Sequence, residues 1–166
     1  MDFLSLKTPI GNMLACADDS ALLSLDFCDD DRYQATDNHI LKTLAIELSE
    51  YFDGNRKEFT IPLKPLGTPF QLRVWETLRQ IPYGKTVSYA VEADMLAHPK
   101  AVRAVANANG KNPISIIIPC HRVITSGGSI GGYAGGVWRK EFLLKLEETS
   151  DSTEVSKEQL VARVVC

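Results

Sequence analysis

The stretch SYAVEADMLAHPKAVRAVANANG, residues 88–110, decides the fold of the second half of this chain. It predicts two short helices on either side of a tight break at AHP, with Ser88 as the N-cap of the first and Pro99 opening the second. Asn109 and Gly110 are typical of the end of the second helix. Two short helices joined by about three residues form a helix-turn-helix.

Helical signals continue on both sides of this unit. Thr68 suits an N-cap, Pro69 the first helical position, and Gln71 completes a capping box. This helix should bury one apolar face made of Phe70, Val74 and Leu78, with Trp75 alongside. Downstream, WRKEFLLKLEE predicts an amphipathic helix that buries Trp138, Phe142 and Leu146.

The first half has a different pattern. Short apolar runs broken at Gly11-Asn12 and Asp18-Asp19 predict strands joined by hairpin turns, and FTIPL (59–63) is a candidate for a further strand. One helix with Gly54 as its stop should cover this sheet, because apolar residues recur at helical spacing. Those residues are Ile40, Leu41, Leu44, Leu48 and Phe52.

LKPLGTPF, rich in proline and glycine, marks the boundary between the halves. We therefore predict an α+β chain: an N-terminal structural domain at 1–66, a mainly α-helical domain at 67–148, and a polar tail at 149–166. The charge also changes sign there. Residues 1–66 have a net charge of −6, while residues 67–147 hold ten Lys/Arg against five Asp/Glu. A basic second half is typical of a domain that meets a polyanion.

Composition excludes several classes of protein. No apolar run approaches the ~20 residues that span a bilayer, and the N-terminus lacks the basic region of a signal peptide, so we expect an intracellular protein. The four cysteines, Cys16, Cys28, Cys120 and Cys166, form no C-x-x-C pair. We expect free thiols, no metal site, and buried apolar roles for Cys16 and Cys28.

Cys120 is the candidate nucleophile, in ISIIIPCHRVI at residues 114–124. His121 and Arg122 should favour its thiolate, which predicts a lowered pKa. Adjacent side chains do not face each other on regular backbone, so a bridging water is the expected proton path from Cys120 to His121. Two alternatives stay open at this point: a buried structural thiol, and a cysteine hydrolase in which Asn112 is the partner of His121.

The second helix of the helix-turn-helix is unusually thin. Ala101, Ala104, Ala106 and Ala108 leave Arg103 as its one long charged side chain away from the start. Small side chains allow close approach, either to a neighbouring helix or to a groove of DNA. The glycine-rich stretch SGGSIGGYAGG, residues 126–136, predicts either a flexible loop or a wall whose backbone approaches a ligand.

Taken together, GTPFQLRVWETLRQIPYGKTVSYA, HPKAVRAVANANGKNPISIIIPCHRVI and GGYAGGVWRKEFLLKLE resemble the O6-alkylguanine-DNA alkyltransferases. These are also called methylated-DNA–protein-cysteine methyltransferases. The resemblance covers residues 67–147 and implies a winged helix-turn-helix DNA-binding domain after a ribonuclease H-like N-terminal domain. It implies direct-reversal DNA repair by irreversible, single-turnover transfer of an alkyl group from O6-alkylguanine, and also from O4-alkylthymine.

The family pattern also implies roles for particular residues. Cys120 is the alkyl acceptor, His121 and Glu147 form a water-linked relay, and Asn112 braces the active-site turn. Tyr89 donates to the departing guanine. The positions implied for DNA binding and the base pocket are Arg103, which fills the space of the flipped base, and Tyr133, Ala104, Ala101, Gly135 and Ser88.

The implied partner is double-stranded DNA carrying the lesion, bound through its minor groove by a cytoplasmic monomer. No membrane contact and no cofactor are expected. Some family members bind zinc in the N-terminal domain, but no ligand set occurs in this sequence. A second hypothesis is a non-enzymatic alkyltransferase-like protein that senses lesions; such relatives lack the acceptor cysteine, which is present here.

Overall fold

The structure, a computed structural model, describes residues 1–151. The first half is a three-stranded antiparallel sheet in the order β1 (Asp2–Thr8), β2 (Gly11–Ala17) and β3 (Leu22–Phe27), with one helix, α1 (His39–Phe52), packed on β1 and β2. Asn38 caps α1 by accepting from the Leu41 amide at 3.1 Å. The predicted sheet covered by one helix is therefore confirmed.

Two details of this half differ from the prediction. The first hairpin turns at Pro9-Ile10, and Gly11 already begins β2 with a φ of 115°. The strand predicted at FTIPL is wrong, because the segment forms only an isolated bridge between Leu63 and Leu22. Pro62 has no amide hydrogen to donate, so the segment can add only an interrupted ladder to the edge of β3.

The second half consists of helices α2 (Pro69–Leu78), α3 (Tyr89–Met95), α4 (Val102–Gly110) and α5 (Val137–Asp151). Two short strands, β4 (Val87–Ser88) and β5 (Val123–Ile124), pair in parallel. The predicted capping box at the start of α2 is confirmed, since Thr68 and Gln71 bond reciprocally at 3.1 and 3.0 Å. The mixed architecture of a small sheet domain followed by a helical domain is as predicted.

Helices α3 and α4 form the predicted helix-turn-helix, but α4 begins at Val102 rather than at Pro99. Ala97 takes a left-handed φ of 60°, which redirects the chain after α3. The Ala101 amide then donates to the His98 carbonyl at 2.9 Å, so Pro99 lies inside a turn.

The buried face of α5 also differs from the prediction. Trp138 and Phe142 are 56% and 37% exposed, whereas Lys140, Leu143 and Glu147 are buried. The helix turns two charged side chains inward because each has polar partners there, which compensates the cost of burying charge. Helix α5 continues to Asp151, past the boundary predicted at 148, and the rest of the predicted tail, 152–166, lies outside the described residues.

The isoleucine-rich run joins the two halves. Ser115 donates to the Leu25 carbonyl, and Leu25 donates to Pro113, each at 2.9 Å, so the run lies along β3. Ile114, Ile116 and Ile118 are buried in the core, and each contributes roughly 1.5–3 kcal/mol of burial free energy. The apolar run therefore anchors the segment that ends at Cys120.

Three cysteines, Cys16, Cys28 and Cys120, are free thiols as predicted; Cys16 is buried, Cys28 is only half-buried, and Cys166 lies outside the described residues. Within residues 1–151, no helix combines the length and the apolar character that crossing a membrane requires.

Candidate active site

Cys120 opens a 3₁₀ turn that spans Cys120–Arg122, directly after the buried isoleucine run. The Asn112 side-chain amide donates to the Ile118 carbonyl at 2.7 Å and approaches Cys120 Sγ at 3.4 Å. Its oxygen accepts from the Ile114 amide at 2.9 Å. Asn112 thus contacts the backbone at both ends of the segment that leads to the thiol.

The thiol faces a cavity of about 360 Å³, within the usual size range of small-molecule sites. Its walls come from α3, from α4 and from the glycine-rich loop. The lining residues are Tyr89, Ala106, Asn107, Asn109, Gly110, Cys120, Gly132, Tyr133 and Ala134. The fold therefore brings together three predicted site residues, Tyr89, Cys120 and Tyr133, that are far apart in the sequence.

Behind the thiol lies a buried charge network. His121 Nε2 is 2.6 Å from Glu147 Oε2, which agrees with the predicted pairing of these residues. Arg122 Nε donates to Glu147 Oε1 at 2.8 Å. The other ring nitrogen of His121, Nδ1, is buried and has no hydrogen-bond partner among residues 1–151.

The N-terminal half contributes to this network. The Tyr51 hydroxyl, on α1, donates to Glu147 Oε2 at 2.6 Å. Burial, followed by the negative charge of Glu147, raises the pKa of Tyr51 well above its ordinary value, so the phenol stays a donor. Burial alone would raise the pKa of Glu147, but His121 and Arg122 outweigh it and hold that pKa well below the ordinary range.

The pKa of Cys120 is raised, whereas the sequence predicted a lowered value. Although the thiol faces the cavity, surrounding protein atoms desolvate it, and this burial raises its pKa to about 11. The hydrogen bond from Asn112 and the charge of Lys140 act in the other direction but do not overcome burial. Arg122 does not offset the effect, since its guanidinium is engaged by Glu147 and by the Ile81 carbonyl.

A Cys-His-Asn arrangement of the hydrolase type is not formed. The Asn112 amide bonds the backbone of its own turn, and the partner of His121 is Glu147. The geometry therefore disfavours the hydrolase alternative.

Two residues of the site were missed by the sequence reasoning. Lys140 Nζ donates to the Gly132 carbonyl at 3.0 Å, beneath the glycine-rich loop, and its burial lowers its pKa to about 8. Arg139 donates to the carbonyls of Gly135 and Ile10 at 2.8 and 2.7 Å, so it ties the loop to the first hairpin. The available signal was a lysine within an amphipathic helix, but tertiary packing decides whether that side chain faces the interior.

Local contacts explain why position 135 is a glycine and position 88 a serine. A Cβ atom at Gly135 would lie 2.9 Å from the Phe27 ring and 3.0 Å from Tyr133, so only glycine fits. Ser88 accepts from the Val91 amide at 3.1 Å and caps α3 as predicted.

Helix α4 has one buried and one exposed face. Val105 and Ala108 are buried, and the Ala108 carbonyl accepts from Trp75 Nε1 at 2.9 Å. Arg103 and Ala104 are exposed, and Ala101 is half-buried. Small side chains thus allow tight packing on the buried face of α4, and on the exposed face they leave room for another surface to approach closely.

Other cavities do not include the thiol. Larger hollows of about 440 and 630 Å³ lie beside α5 and beside the first strand, and neither is lined by Cys120. Within residues 1–151, no three side chains of His, Cys, Asp or Glu gather as a metal site would require. The cavity at Cys120 is therefore distinguished by its chemistry and not by its size.

A helix-turn-helix whose second helix borders a cavity with a braced thiol defines a DNA-binding protein with a nucleophilic cysteine. Comparison with known proteins supports this class. The family described as 6-O-methylguanine DNA methyltransferase, DNA binding domain, matches residues 69–149, and the ribonuclease-like domain of the same protein family matches residues 3–65. This chain belongs to the methylated-DNA–protein-cysteine methyltransferase family, as its sequence predicted.

Individual relatives agree. A methylated-DNA–protein-cysteine methyltransferase of Methanosarcina mazei is 43% identical over 151 residues, covering 87% of this chain and 96% of the relative. A constitutive enzyme of the same name from Bacillus subtilis is 39% identical over 158 residues, covering 89% and 96%. The crystal structure of Mycobacterium tuberculosis OGT in complex with DNA superposes with a TM-score of 0.83 at 37% identity, covering 98% and 99% of the two chains.

Proposed function

We propose that this chain repairs O6-alkylguanine in double-stranded DNA by transferring the alkyl group irreversibly to Cys120, and that it accepts O4-alkylthymine as well. The observation that carries the proposal is the Cys120 thiol in a cavity of about 360 Å³ between two tyrosines. A target atom within a stacked duplex is out of reach, so the damaged nucleotide must be extruded into that cavity. The product is a thioether, which water does not cleave, so each molecule acts once.

The proton of Cys120 leaves through His121. Glu147 accepts the Nε2–H of His121, which leaves Nδ1 as the basic nitrogen. A water between Cys120 Sγ and this nitrogen would carry the proton as the sulfur attacks the alkyl carbon. Because burial raises the pKa of Cys120 to about 11, this base is needed at neutral pH.

Tyr89 and Tyr133 contact the flipped base in this proposal. Both line the cavity beside the thiol, and burial raises the pKa of each phenol, which keeps both as donors. Tyr89 donates to the guanine as the C–O bond breaks and negative charge develops on the base. Tyr133 lines the cavity from the glycine-rich loop. Gly135 does not line the cavity, but it lets the loop pack closely against Phe27 and Tyr133.

Helix α4 is the proposed minor-groove element. Its exposed Ala104 and the adjoining Ala101 permit close approach to a groove that is only ~6 Å wide. Arg103 inserts where the flipped base was, which offsets part of an unstacking cost of a few kcal/mol. Ser88, at the start of α3, adds a contact to the DNA backbone.

The remaining features complete the proposal. Residues 1–66 form a structural domain that also contributes Tyr51 to the relay, and residues 67–148 carry the acceptor cysteine and the DNA-binding surface. The start of the tail predicted at 149–166 belongs to α5, which ends at Asp151, and the rest lies outside the described residues. The protein works as a monomer in the cytoplasm. It needs no cofactor, because the thiol, the relay and the tyrosines supply every group that the transfer requires.

One experiment separates this function from its alternatives. The protein is incubated with a duplex oligonucleotide containing O6-methylguanine and analysed by mass spectrometry. Transfer predicts one added methyl group on the Cys120 peptide and no second turnover. Lesion binding without an adduct would indicate an alkyltransferase-like sensor, and repeated turnover would indicate a hydrolase.

Two cysteine variants test whether Cys120 is the acceptor in that experiment. Cys120→Ser should retain DNA binding and form no adduct, while Cys28→Ser, which replaces another free thiol, should react like the unmodified protein. An adduct that persists in Cys120→Ser would contradict the assignment.

A further inference from the structure

A buried carboxyl group lies inside the helix-turn-helix, outside the relay described above. Glu92, on α3, is fully buried, and its Oε1 accepts from the Asn109 side-chain amide on α4 at 2.7 Å. Asn109 is itself 7% exposed and lines the cavity that contains Cys120. One hydrogen bond therefore links the interior of the helix pair to the wall of the acceptor cavity.

The two side chains each leave one atom without a partner. Glu92 Oε2 and Asn109 Oδ1 are both buried, and within the described part of the chain neither forms a hydrogen bond. If Glu92 is ionised, both are acceptors that no donor satisfies, which is a costly arrangement in a dry interior. A proton on Glu92 Oε2 converts one of them into a donor for the other and closes a cyclic acid–amide pair.

We propose that Glu92 is a neutral carboxylic acid that positions Asn109 in the wall of the acceptor cavity through this reciprocal pair. Glu92 is thus a positioning residue, since it acts through Asn109. The pair also fastens α3 to α4 at the level of the cavity.

The surroundings of Glu92 favour the neutral form. The charged side chains of the helices around it, Arg73 and Glu76 on α2, Asp94 on α3 and Arg103 on α4, are all exposed. Strands β4 and β5 carry no ionisable side chain. In agreement with the geometry, burial raises the pKa of Glu92 to about 7, despite the opposing hydrogen bond from Asn109.

The neutral form also matters for the thiol. A negative charge on Glu92 raises the pKa of Cys120, and also that of Tyr89. Lys140 is the cation that acts on Cys120 in the opposite sense. Keeping Glu92 protonated removes a charge that would oppose formation of the thiolate.

The first test uses Glu92→Gln, which reproduces the shape and hydrogen bonds of the protonated acid but cannot ionise. The folded pKa, about 7, lies above the ordinary 4.5, so the native protein loses stability relative to the variant as the pH rises from 4.5 through 7. The ratio of their unfolding constants should therefore change by roughly two to three powers of ten between pH 4 and pH 8. A ratio that does not depend on pH would overturn the proposal.

Glu47→Gln is a matched control, for which we expect the opposite result. Glu47 is also buried, but its carboxylate pairs with Arg56 at 3.0 Å and accepts from the Thr60 hydroxyl at 2.7 Å. Glu47→Gln should be less stable than the native protein at pH 8, where Glu92→Gln should be more stable. Destabilisation of both variants at pH 8 would show that the fold favours the ionised form of Glu92 over a neutral group, and would overturn the proposal.

The second test follows the thiol and needs no DNA, so its result does not depend on the proposed repair function. The rate of iodoacetamide labelling of the Cys120 peptide is measured against pH in both proteins. The rate ratio of Glu92→Gln to native protein should rise as the pH passes 7, because only the native protein acquires the opposing charge. Equal pH profiles would overturn the proposal. If the variant fails to fold, the ¹³C shift of the Glu92 carboxyl carbon is followed in the native protein between pH 5.5 and pH 8.5. The shift of a protonated acid at pH 5.5 is expected, and the shift of an ionised carboxylate over the whole range would overturn the proposal.

Discussion

The Tyr51 hydroxyl lies 2.6 Å from Glu147 Oε2, although 96 residues separate the two in the chain. The same carboxylate oxygen is 2.6 Å from His121 Nε2. A helix of the N-terminal half therefore helps to hold the carboxylate that contacts the histidine, so the first half of the chain contributes a side chain to the proposed relay.

Replacing Tyr51 with phenylalanine should weaken both the fold and the reaction. The change removes a buried hydrogen bond to a charged group, which is worth about 1.5–3 kcal/mol of unfolding free energy. It also removes one of the groups that hold the Glu147 carboxylate against His121, leaving Arg122 to hold it alone, so single-turnover methyl transfer should slow. Denaturant unfolding and rapid-quench transfer assays measure the two effects. Tyr33→Phe, at a tyrosine whose hydroxyl contacts exposed Arg32 at 3.5 Å, is the control; identical behaviour of the two variants would refute the role.

Arg103→Ala should affect duplex DNA more than a free base. Arg103 is exposed on α4, and the proposed wedge offsets an unstacking cost of a few kcal/mol, so loss of the side chain should slow duplex repair by roughly 10–100-fold. Reaction with free O6-benzylguanine, which needs no flipping, should change much less. Arg79→Ala removes another exposed arginine and serves as the comparison. Equal losses on both substrates would contradict the wedge.

Lys140→Met should raise the pKa of Cys120 further. The lysine charge favours the thiolate, and in the native protein burial already holds this pKa at about 11. Iodoacetamide labelling of the Cys120 peptide should therefore be slower in the variant below about pH 8, where the native Lys140 carries its charge, and the difference should vanish at higher pH. Lys145→Met, at an exposed lysine of the same helix, should label at the native rate. If both variants match the native protein, Lys140 has no electrostatic effect on the thiol.

Thr68→Ala should lower stability through loss of the α2 cap. The Thr68 hydroxyl accepts from the Gln71 amide at 3.1 Å, and removal of such a cap costs about 1 kcal/mol. Chemical denaturation measures the loss, and Thr86→Ala, at an exposed threonine outside any helix, should cost much less. A variant as stable as the native protein would show that the cap is dispensable.

Much of the local structure could be predicted because its causes lie within a few residues. The capping box at Thr68, the Ser88 cap and the Gly54 stop depend on contacts between near neighbours in the chain. The thiol was recognisable from its motif, since ISIIIPCHRVI holds a nucleophile, a base and their anchoring run together. The start of α4 was misplaced because the left-handed turn at Ala97 has no signal in residue type.

The sequence by itself determined the helix-turn-helix and the acceptor motif, because short-range spacing encodes both, and its resemblance to known alkyltransferases indicated the family. Tertiary structure alone decided which face of α5 is buried, that Tyr51 reaches Glu147, and that Glu92 lies beside Asn109. It also reversed the expected direction of the Cys120 pKa. The physical reason is that desolvation depends on every atom packed around a group, and those atoms come from segments that the sequence does not place next to one another.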